Sequence, residues 1–231
     1  MPDRVIDPRR TATIVLSVGV IASVLFVALT TLVMLHQTAS LDRELIVSLR
    51  SGATPLLTTF LLAVTFTSGK LAVPVLIFFA AALYWRSGAR AAAYYVGACV
   101  TAEVLNAILK HAVYRVRPHG VSPLLTAAGG YSYPSADAML AVVIFGLGAL
   151  ILTWSIRGGA VRLVAIGAAA LFVIAAAIAR VYLGAHWPAD VLGGVLAGVA
   201  CSAFWLRALW QSRAAPAPVA LRSEEISSAS G

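Results

Sequence analysis

The chain of 231 residues is 61% hydrophobic and only 11% charged, with a mean hydropathy of +0.92. This composition excludes an ordinary soluble domain and indicates an integral membrane protein. The net charge of +8 does not indicate a nucleic-acid partner, because the arginines stand singly between apolar runs and form no basic stripe.

Apolar runs long enough to cross a membrane recur along the chain. A spanning helix needs about 20 mainly apolar residues, and no strand-like alternation of apolar and polar residues occurs. We therefore predict an all-α polytopic membrane protein, a bundle of six transmembrane helices. The predicted spans are 12–35, 70–86, 90–110, 135–155, 161–180 and 188–210.

The segment 37–69, between the first two spans, differs from a simple loop. It begins with charged residues and continues as an apolar stretch from Leu56 to Phe66. This pattern predicts short interfacial or partly embedded helices. A seventh short span over 54–69 is the alternative.

The domain organisation follows from these spans. We assign 1–10 to a cytoplasmic N-terminus, 11–210 to one membrane domain and 211–231 to a cytoplasmic tail whose composition is typical of disorder. Arginines in the short loops 86–90 and 157–162 follow the positive-inside rule. Both termini are thus expected in the cytoplasm, in a bacterial inner membrane.

This topology gathers polar residues at the opposite, extracytoplasmic face. Lys110 is the last residue of the span 90–110, and Arg180 is the last residue of the span 161–180. Arg117 lies in the loop after the span 90–110. A lone cation at a helix end is usually one that extends to the membrane surface. Three converging cations instead suit an anionic group such as phosphate.

His186 and Asp190 lie four residues apart at the start of the sixth span. If that helix begins by His186, the two side chains share a face and can form a hydrogen bond. A carboxylate in this position orients the imidazole and leaves the other ring nitrogen free to attack or to take a proton. A structural pair at a helix start is the alternative.

Three segments resemble the signatures of a known family. They read LKHAVYRVRP (Leu109–Pro118), YPSAD (Tyr133–Asp137) and ARVYLGAHWPAD (Ala179–Asp190). In order and spacing they are similar to K-x6-R-P, P-S-G-H and S-R-x5-H-x3-D of the type 2 phosphatidic acid phosphatase superfamily. The resemblance extends from about Lys70 to Leu206 and implies a six-helix membrane phosphatase.

The resemblance also implies a binding site for the phosphoryl group. Lys110, Arg117 and Arg180 would bind its oxygens, and the Ser135 side chain and the Ala136 amide would add hydrogen bonds at the positive end of a helix.

The same resemblance implies the catalytic residues. His186 would be the nucleophile that forms a phosphohistidine, and Asp190 would orient it. The cations would stabilise charge on the transferred group. No cofactor is implied, and no residue spacing suggests a catalytic metal.

Two departures from the signatures concern the chemistry. Ala136 and Asp137 replace the family's Gly-His, and Ala179 replaces a serine. The missing histidine protonates the leaving oxygen in the family, and an aspartate, ordinarily ionised, can replace it only when protonated. The open alternatives are burial of Asp137 beside a second anion, or a proton from His111 or His119.

The replacement of the usual proton donor by Asp137 predicts the substrate class. A lipid alkoxide is a poor leaving group, near water's pKa of about 15.7, whereas a phosphate monoester has a second pKa of about 6. A lipid pyrophosphate, such as an undecaprenyl carrier, therefore needs less help than phosphatidic acid. The competing classes are a catalytically silent protein that binds or transports phospholipid, and a lipid phosphotransferase.

Glu103 is an auxiliary candidate within the third predicted span. Together with Asn106 it shares one helical stripe with Lys110. An acid within a span is a candidate functional residue. We prefer the alternative that it is a structural partner of Lys110 or Arg180.

Overall fold

All regular elements in the described part of the chain are helical. The computed structural model describes residues 8–118, 130–154, 156 and 158–214. The predicted all-α membrane architecture is confirmed. In chain order the helices are α1 (Pro8–Met34), α2 (Ala39–Ser51), α3 (Pro55–Ser68), α4 (Ala72–Ser87), α5 (Ala89–Val113), α6 (Ala136–Thr153), α7 (Gly159–Tyr182) and α8 (Pro188–Ala214).

Five of these helices, α1, α5, α6, α7 and α8, are long and apolar enough to cross a membrane. The sixth candidate is the α3–α4 pair, which bends by 59° at its break. The predicted span 70–86 corresponds to α4, whose 16 residues fall short of the roughly 20 required. The described residues thus contain up to six candidate spans. Helix α3 is part of a candidate span only when it is combined with α4.

The segment predicted to be interfacial contains two different helices. In α2, Asp42 and Ile46 are buried while Leu41 and Val47 are exposed, so one face packs on the protein. Helix α3 begins with Pro55 after Thr54, whose side chain accepts a hydrogen bond from the Leu57 amide at 3.2 Å. Only α3 is apolar enough to contribute to a span.

Helices α6 and α8 form the interior of the bundle. In each, 61% of the most apolar window is buried, compared with 11% in α1 and 6% in α7. Gly198 permits their close approach, since a Cβ there would lie 2.8 Å from the Met139 carbonyl oxygen. The middle of α6, Val142–Leu147, is π-helical, a form found mostly in short segments.

The ends of the chain adjust the predicted boundaries. Helix α8 continues to Ala214, so residues 211–214 are helical and do not belong to the predicted tail. The remainder of that tail, 215–231, and residues 1–7 of the predicted N-terminal segment lie outside the described residues.

Candidate active site

The ends of four helices meet at one face of the bundle and bring most of the predicted residues together. Lys110 is in the last turn of α5 and Arg180 in the last turn of α7, while Asp137 and Asp190 stand in the first turns of α6 and α8. His186 precedes α8, and Arg117 follows α5. Residues distant in the chain thus surround one polar site.

The His186 ring is oriented by a backbone carbonyl group rather than by a direct hydrogen bond to Asp190. Its Nδ1 lies 2.9 Å from the Ser132 carbonyl oxygen and 3.7 Å from Asp190 Oδ2. A carbonyl only accepts, so Nδ1 donates and the neutral ring carries its lone pair on Nε2. The expected direct bond to Asp190 is replaced by this longer contact, because α8 begins at Pro188, after the histidine.

The unprotonated nitrogen of His186, Nε2, faces a cation. Nε2 lies 3.1 Å from Arg117 Nη1, which also donates to the Ala185 carbonyl oxygen at 2.8 Å. Burial lowers the pKa of His186; Asp190 opposes the shift, whereas Arg117 and Lys110 add to it. The imidazole is therefore neutral at neutral pH, as a nucleophile requires.

Asp190 is fully buried and accepts hydrogen bonds on both oxygens. Its Oδ2 accepts from the Ser132 hydroxyl and, at 2.9 Å, from the Trp187 amide. Its Oδ1 accepts from Arg115 Nη1 at 2.7 Å. Sequence reasoning missed Ser132 and Arg115, although Arg115 stands inside the quoted segment LKHAVYRVRP.

Arg115 also reaches helix α2. Its Nη2 donates to Asp42 Oδ2 at 2.5 Å and to Thr38 Oγ1 at 3.1 Å. Asp42 Oδ1 accepts from the Ala189 amide at 2.8 Å. In the sequence, Asp42 is one of several charged residues at the start of an interfacial segment. That position alone does not show whether the side chain is buried or exposed.

The three predicted phosphate-binding cations differ in their partners. Lys110 Nζ donates to the Tyr131 carbonyl oxygen at 2.9 Å, and Arg180 Nη2 lies 2.8 Å from Asp137 Oδ1. Among the described residues, the buried Nε atoms of Arg117 and Arg180 have no hydrogen-bond partner. Donors of this kind are suited to an anion.

The start of α6 supplies further donors. Ser135 is fully buried, and its hydroxyl has no partner within the described part of the chain. Although it is the N-cap residue, it makes no capping bond. Ala136 follows as the first residue of α6, where backbone N–H groups lack partners within the helix.

Asp137 forms an ion pair at the position of the family's histidine. Its Oδ1 lies 2.8 Å from Arg180 Nη2, so the pair offsets the charge of one of the three cations. Gly69, at the bend between α3 and α4, lies against both: a Cβ there would be 3.1 Å from Arg180 Nη2 and 3.4 Å from Asp137 Oδ1.

The auxiliary candidates that the structure describes make no side-chain hydrogen bond or salt bridge with the site residues. Glu103 is exposed and takes part in no salt bridge among the described residues, whereas Asn106 is buried and donates to the Pro134 carbonyl oxygen at 3.2 Å. His111 is exposed, and its Nδ1 lies 2.8 Å from the Ala107 carbonyl oxygen of its own helix. His119 lies outside the described residues. Nor do the described residues contain a group of three or more His, Cys, Asp or Glu that could hold a metal ion.

Comparisons with known proteins identify similar sequences and folds. The family model described as PAP2 superfamily matches residues 91–214. The crystal structure of the first transmembrane PAP2 type phosphatidylglycerolphosphate phosphatase from Bacillus subtilis is similar with a TM-score of 0.76 at 22% identity, covering 87% of this chain and 98% of that one. Aquifex aeolicus LpxE is similar with a TM-score of 0.57 at 26% identity, covering 72% and 94%. Among curated proteins, no sequence gives a significant match.

Proposed function

Because this chain belongs to the PAP2 superfamily, we propose that it is a membrane phosphatase that hydrolyses a lipid phosphate or lipid pyrophosphate at the extracytoplasmic face. The observation that carries the proposal is the geometry of the buried His186, whose Nδ1 lies 2.9 Å from the Ser132 carbonyl oxygen and whose Nε2 lies 3.1 Å from Arg117 Nη1. One structural relative is described as a phosphatidylglycerolphosphate phosphatase, which supports a lipid phosphate as the substrate class.

The proposed reaction has two steps. His186 Nε2 attacks phosphorus, so that a P–N bond forms while the bond to the leaving oxygen breaks. Asp190 stabilises the positive charge that the imidazole then carries. Water attacks the phosphohistidine, the P–N bond breaks, and inorganic phosphate leaves.

Phosphate binding is assigned to donors around that nitrogen. The oxygens of the transferred group take hydrogen bonds from Lys110, Arg117 and Arg180, including the unpartnered Nε atoms of the two arginines. The unpaired Ser135 hydroxyl and the Ala136 amide add two donors. Such preorganised donors supply most of the catalysis in phosphoryl transfer.

Asp137 supports a preference for lipid pyrophosphates. A carboxylate paired with Arg180 is a poor proton donor, so a lipid alkoxide would leave slowly. A lipid monophosphate, with a second pKa of about 6, leaves without a proton. We therefore assign the higher kcat/KM to the diphosphate.

The first experiment measures phosphate release from lipid monophosphates and diphosphates by the purified protein and by His186→Gln. Release that the substitution abolishes supports the proposal. Release that survives His186→Gln contradicts the mechanism. Equal turnover of both substrate types by the wild type contradicts only the diphosphate preference.

The Asp137–Arg180 pair favours one second candidate, a phospholipid-binding protein without hydrolysis. In that case the wild type releases no phosphate from any substrate, and Asp137→His restores the missing acid and gains activity. Under the main proposal, Asp137→His instead raises monophosphate turnover relative to diphosphate turnover, and Asp137→Asn does not.

A further inference from the structure

We propose that helix α2 positions the catalytic carboxylate, with Asp42 and Arg115 acting as positioning residues for Asp190. This inference rests on the proposed function, because its effect is exerted through His186. Neither Asp42 nor Arg115 stands at a signature position of the quoted motifs.

One guanidinium lies between two carboxylates. Arg115 gives Nη1 to Asp190 Oδ1 at 2.7 Å and Nη2 to Asp42 Oδ2 at 2.5 Å. The side chains of Asp42 and Asp190 are 3% and 0% exposed. A planar guanidinium that is itself half-buried but is held at both ends by buried carboxylates has one orientation, and it imposes that orientation on its partners.

Helix α2 contacts the active-site segment a second time. Asp42 Oδ1 accepts from the amide of Ala189, the residue before Asp190. The neighbouring Ile46 is 1% exposed and belongs to a buried cluster with Ala138 of α6 and Val191 of α8. Helix α2 thus contacts the backbone and the apolar side chains that begin both site helices.

The two carboxylate oxygens of Asp190 have different hydrogen-bond partners. Arg115 occupies Oδ1, so Oδ2 is left for the Ser132 hydroxyl and the Trp187 amide, on the side of His186. Without Asp42, the full charge of Arg115 acts on Asp190 alone. The carboxylate is then drawn towards Arg115 and stabilises the phosphorylated imidazole less well.

The expected kinetic signature is a loss of kcat with little change in KM. Among the described contacts, Asp42 and Arg115 make none with Lys110, Arg117 or Arg180. Asp42→Asn keeps the size of the side chain and removes its charge. It should lower kcat roughly tenfold, as loss of a residue that orients a catalytic group often does, and leave KM within about twofold.

The pH profile separates positioning from a merely structural role. Among the described residues, the charged groups that act on His186 are Lys110 at the end of α5, Arg117 in the following segment and Asp190 in α8. Arg115 acts through Asp190, and Asp137 of α6 and Arg180 of α7 are paired with each other at the same face. Asp42→Asn removes a negative charge and strengthens the hold of Arg115 on Asp190, so the protonated imidazole is less stabilised. The acidic limb of kcat should move to lower pH.

The experiment compares wild type, Asp42→Asn, Arg115→Lys and the control Glu44→Gln, which changes an exposed acid of the same helix. Inhibition by inorganic phosphate reports whether each variant keeps a folded cation site. The inference predicts an unchanged inhibition constant, a lower kcat and a shifted limb for Asp42→Asn, and no change for Glu44→Gln. Arg115→Lys, which loses the bidentate geometry, should also lower kcat.

The outcomes distinguish failure of the positioning role from failure of the proposed phosphatase function. A wild type that releases no phosphate overturns both. A wild type that is active, with Asp42→Asn retaining kcat and the pH limb, overturns the positioning role alone. If Asp42→Asn loses phosphate binding, Arg115→Lys decides: normal kcat and pH limb in that variant overturn the inference.

Discussion

At the scale of single residues, the protonation state of His186 is set by its surroundings. Burial lowers its pKa, and Lys110 and Arg117 add to this effect. The buried Asp190 opposes the shift without cancelling it. The proposed nucleophile is therefore kept neutral by the same cations that are assigned to the phosphate.

This balance predicts the pH dependence of the reaction. Because the neutral imidazole is the active form, kcat/KM should persist as the pH falls below the ordinary histidine value of about 6.5. Lys110→Gln removes a charge that lowers the pKa of His186, so its acidic limb should lie at higher pH than that of the wild type. A limb that stays fixed in this variant would contradict the electrostatic explanation. Glu44→Gln is a control of opposite charge on an exposed site.

At the scale of elements, close backbone approach brings the bend between α3 and α4 to the site. Gly69 lacks a Cβ where one would lie 3.0 Å from the Thr65 carbonyl oxygen and 3.1 Å from Arg180 Nη2. An added Cβ would therefore press on the Thr65 carbonyl oxygen and on the flexible end of Arg180, which would have to give by a few tenths of an ångström. The bend thus lies against Arg180, one of the three cations proposed to bind the phosphate.

Gly69→Ala should raise KM several-fold and change kcat less, since Arg180 is displaced while His186 and Asp190 keep their contacts. Gly167→Ala in α7 is a matched control, because a Cβ there meets nothing within 4 Å. Steady-state kinetics on a lipid diphosphate measure both. An unchanged KM for Gly69→Ala would show that the bend does not constrain Arg180.

Gly198→Ala tests the contact between α6 and α8. The added Cβ would lie 2.8 Å from the Met139 carbonyl oxygen and 2.9 Å from Val142 Cβ, in the most buried part of the bundle. Such overpacking costs about 1–3 kcal/mol, so the midpoint of thermal unfolding in detergent should fall. Gly167→Ala again serves as control. Equal midpoints for both variants would contradict the tight packing.

The limits of prediction follow from the same elements. The hydropathy pattern located the helix ends that hold Lys110, Arg180 and Asp190. The resemblance to the family signatures supplied the roles proposed for these residues and for Arg117 and His186. The bond from Asp42 to Ala189 joins residues 147 positions apart, and that from Ser132 to Asp190 joins residues 58 apart. Such contacts depend on how α2 and the loop before α6 pack, which no local spacing records.

At the scale of the whole molecule, the α3–α4 pair decides the topology. Five spans would leave the two termini on opposite sides of the membrane, whereas a sixth formed by the bent pair returns them to the same side. We expect six, with the termini in the cytoplasm and the site outside, in agreement with the arginines of the short loops.

Cysteine labelling tests this topology. The native Cys99 and Cys201 are buried and can be replaced by Ala. In that background, Arg10→Cys and Gln211→Cys, both at exposed positions, should react with a membrane-impermeant maleimide only after permeabilisation of the cells. Gln37→Cys, exposed just after α1, should react in intact cells. Labelling of Arg10→Cys and Gln211→Cys on opposite sides would contradict the sixth span.

The most direct measurement of the central claim is the trapping of phosphate on His186. The protein is mixed with a lipid diphosphate labelled at its terminal phosphorus and quenched in base, which preserves a phosphohistidine. We predict label on the peptide that contains His186, lost on acid treatment and absent from His186→Gln, while Glu44→Gln is labelled like the wild type. Turnover without any labelled histidine, or label that survives His186→Gln, would contradict the account.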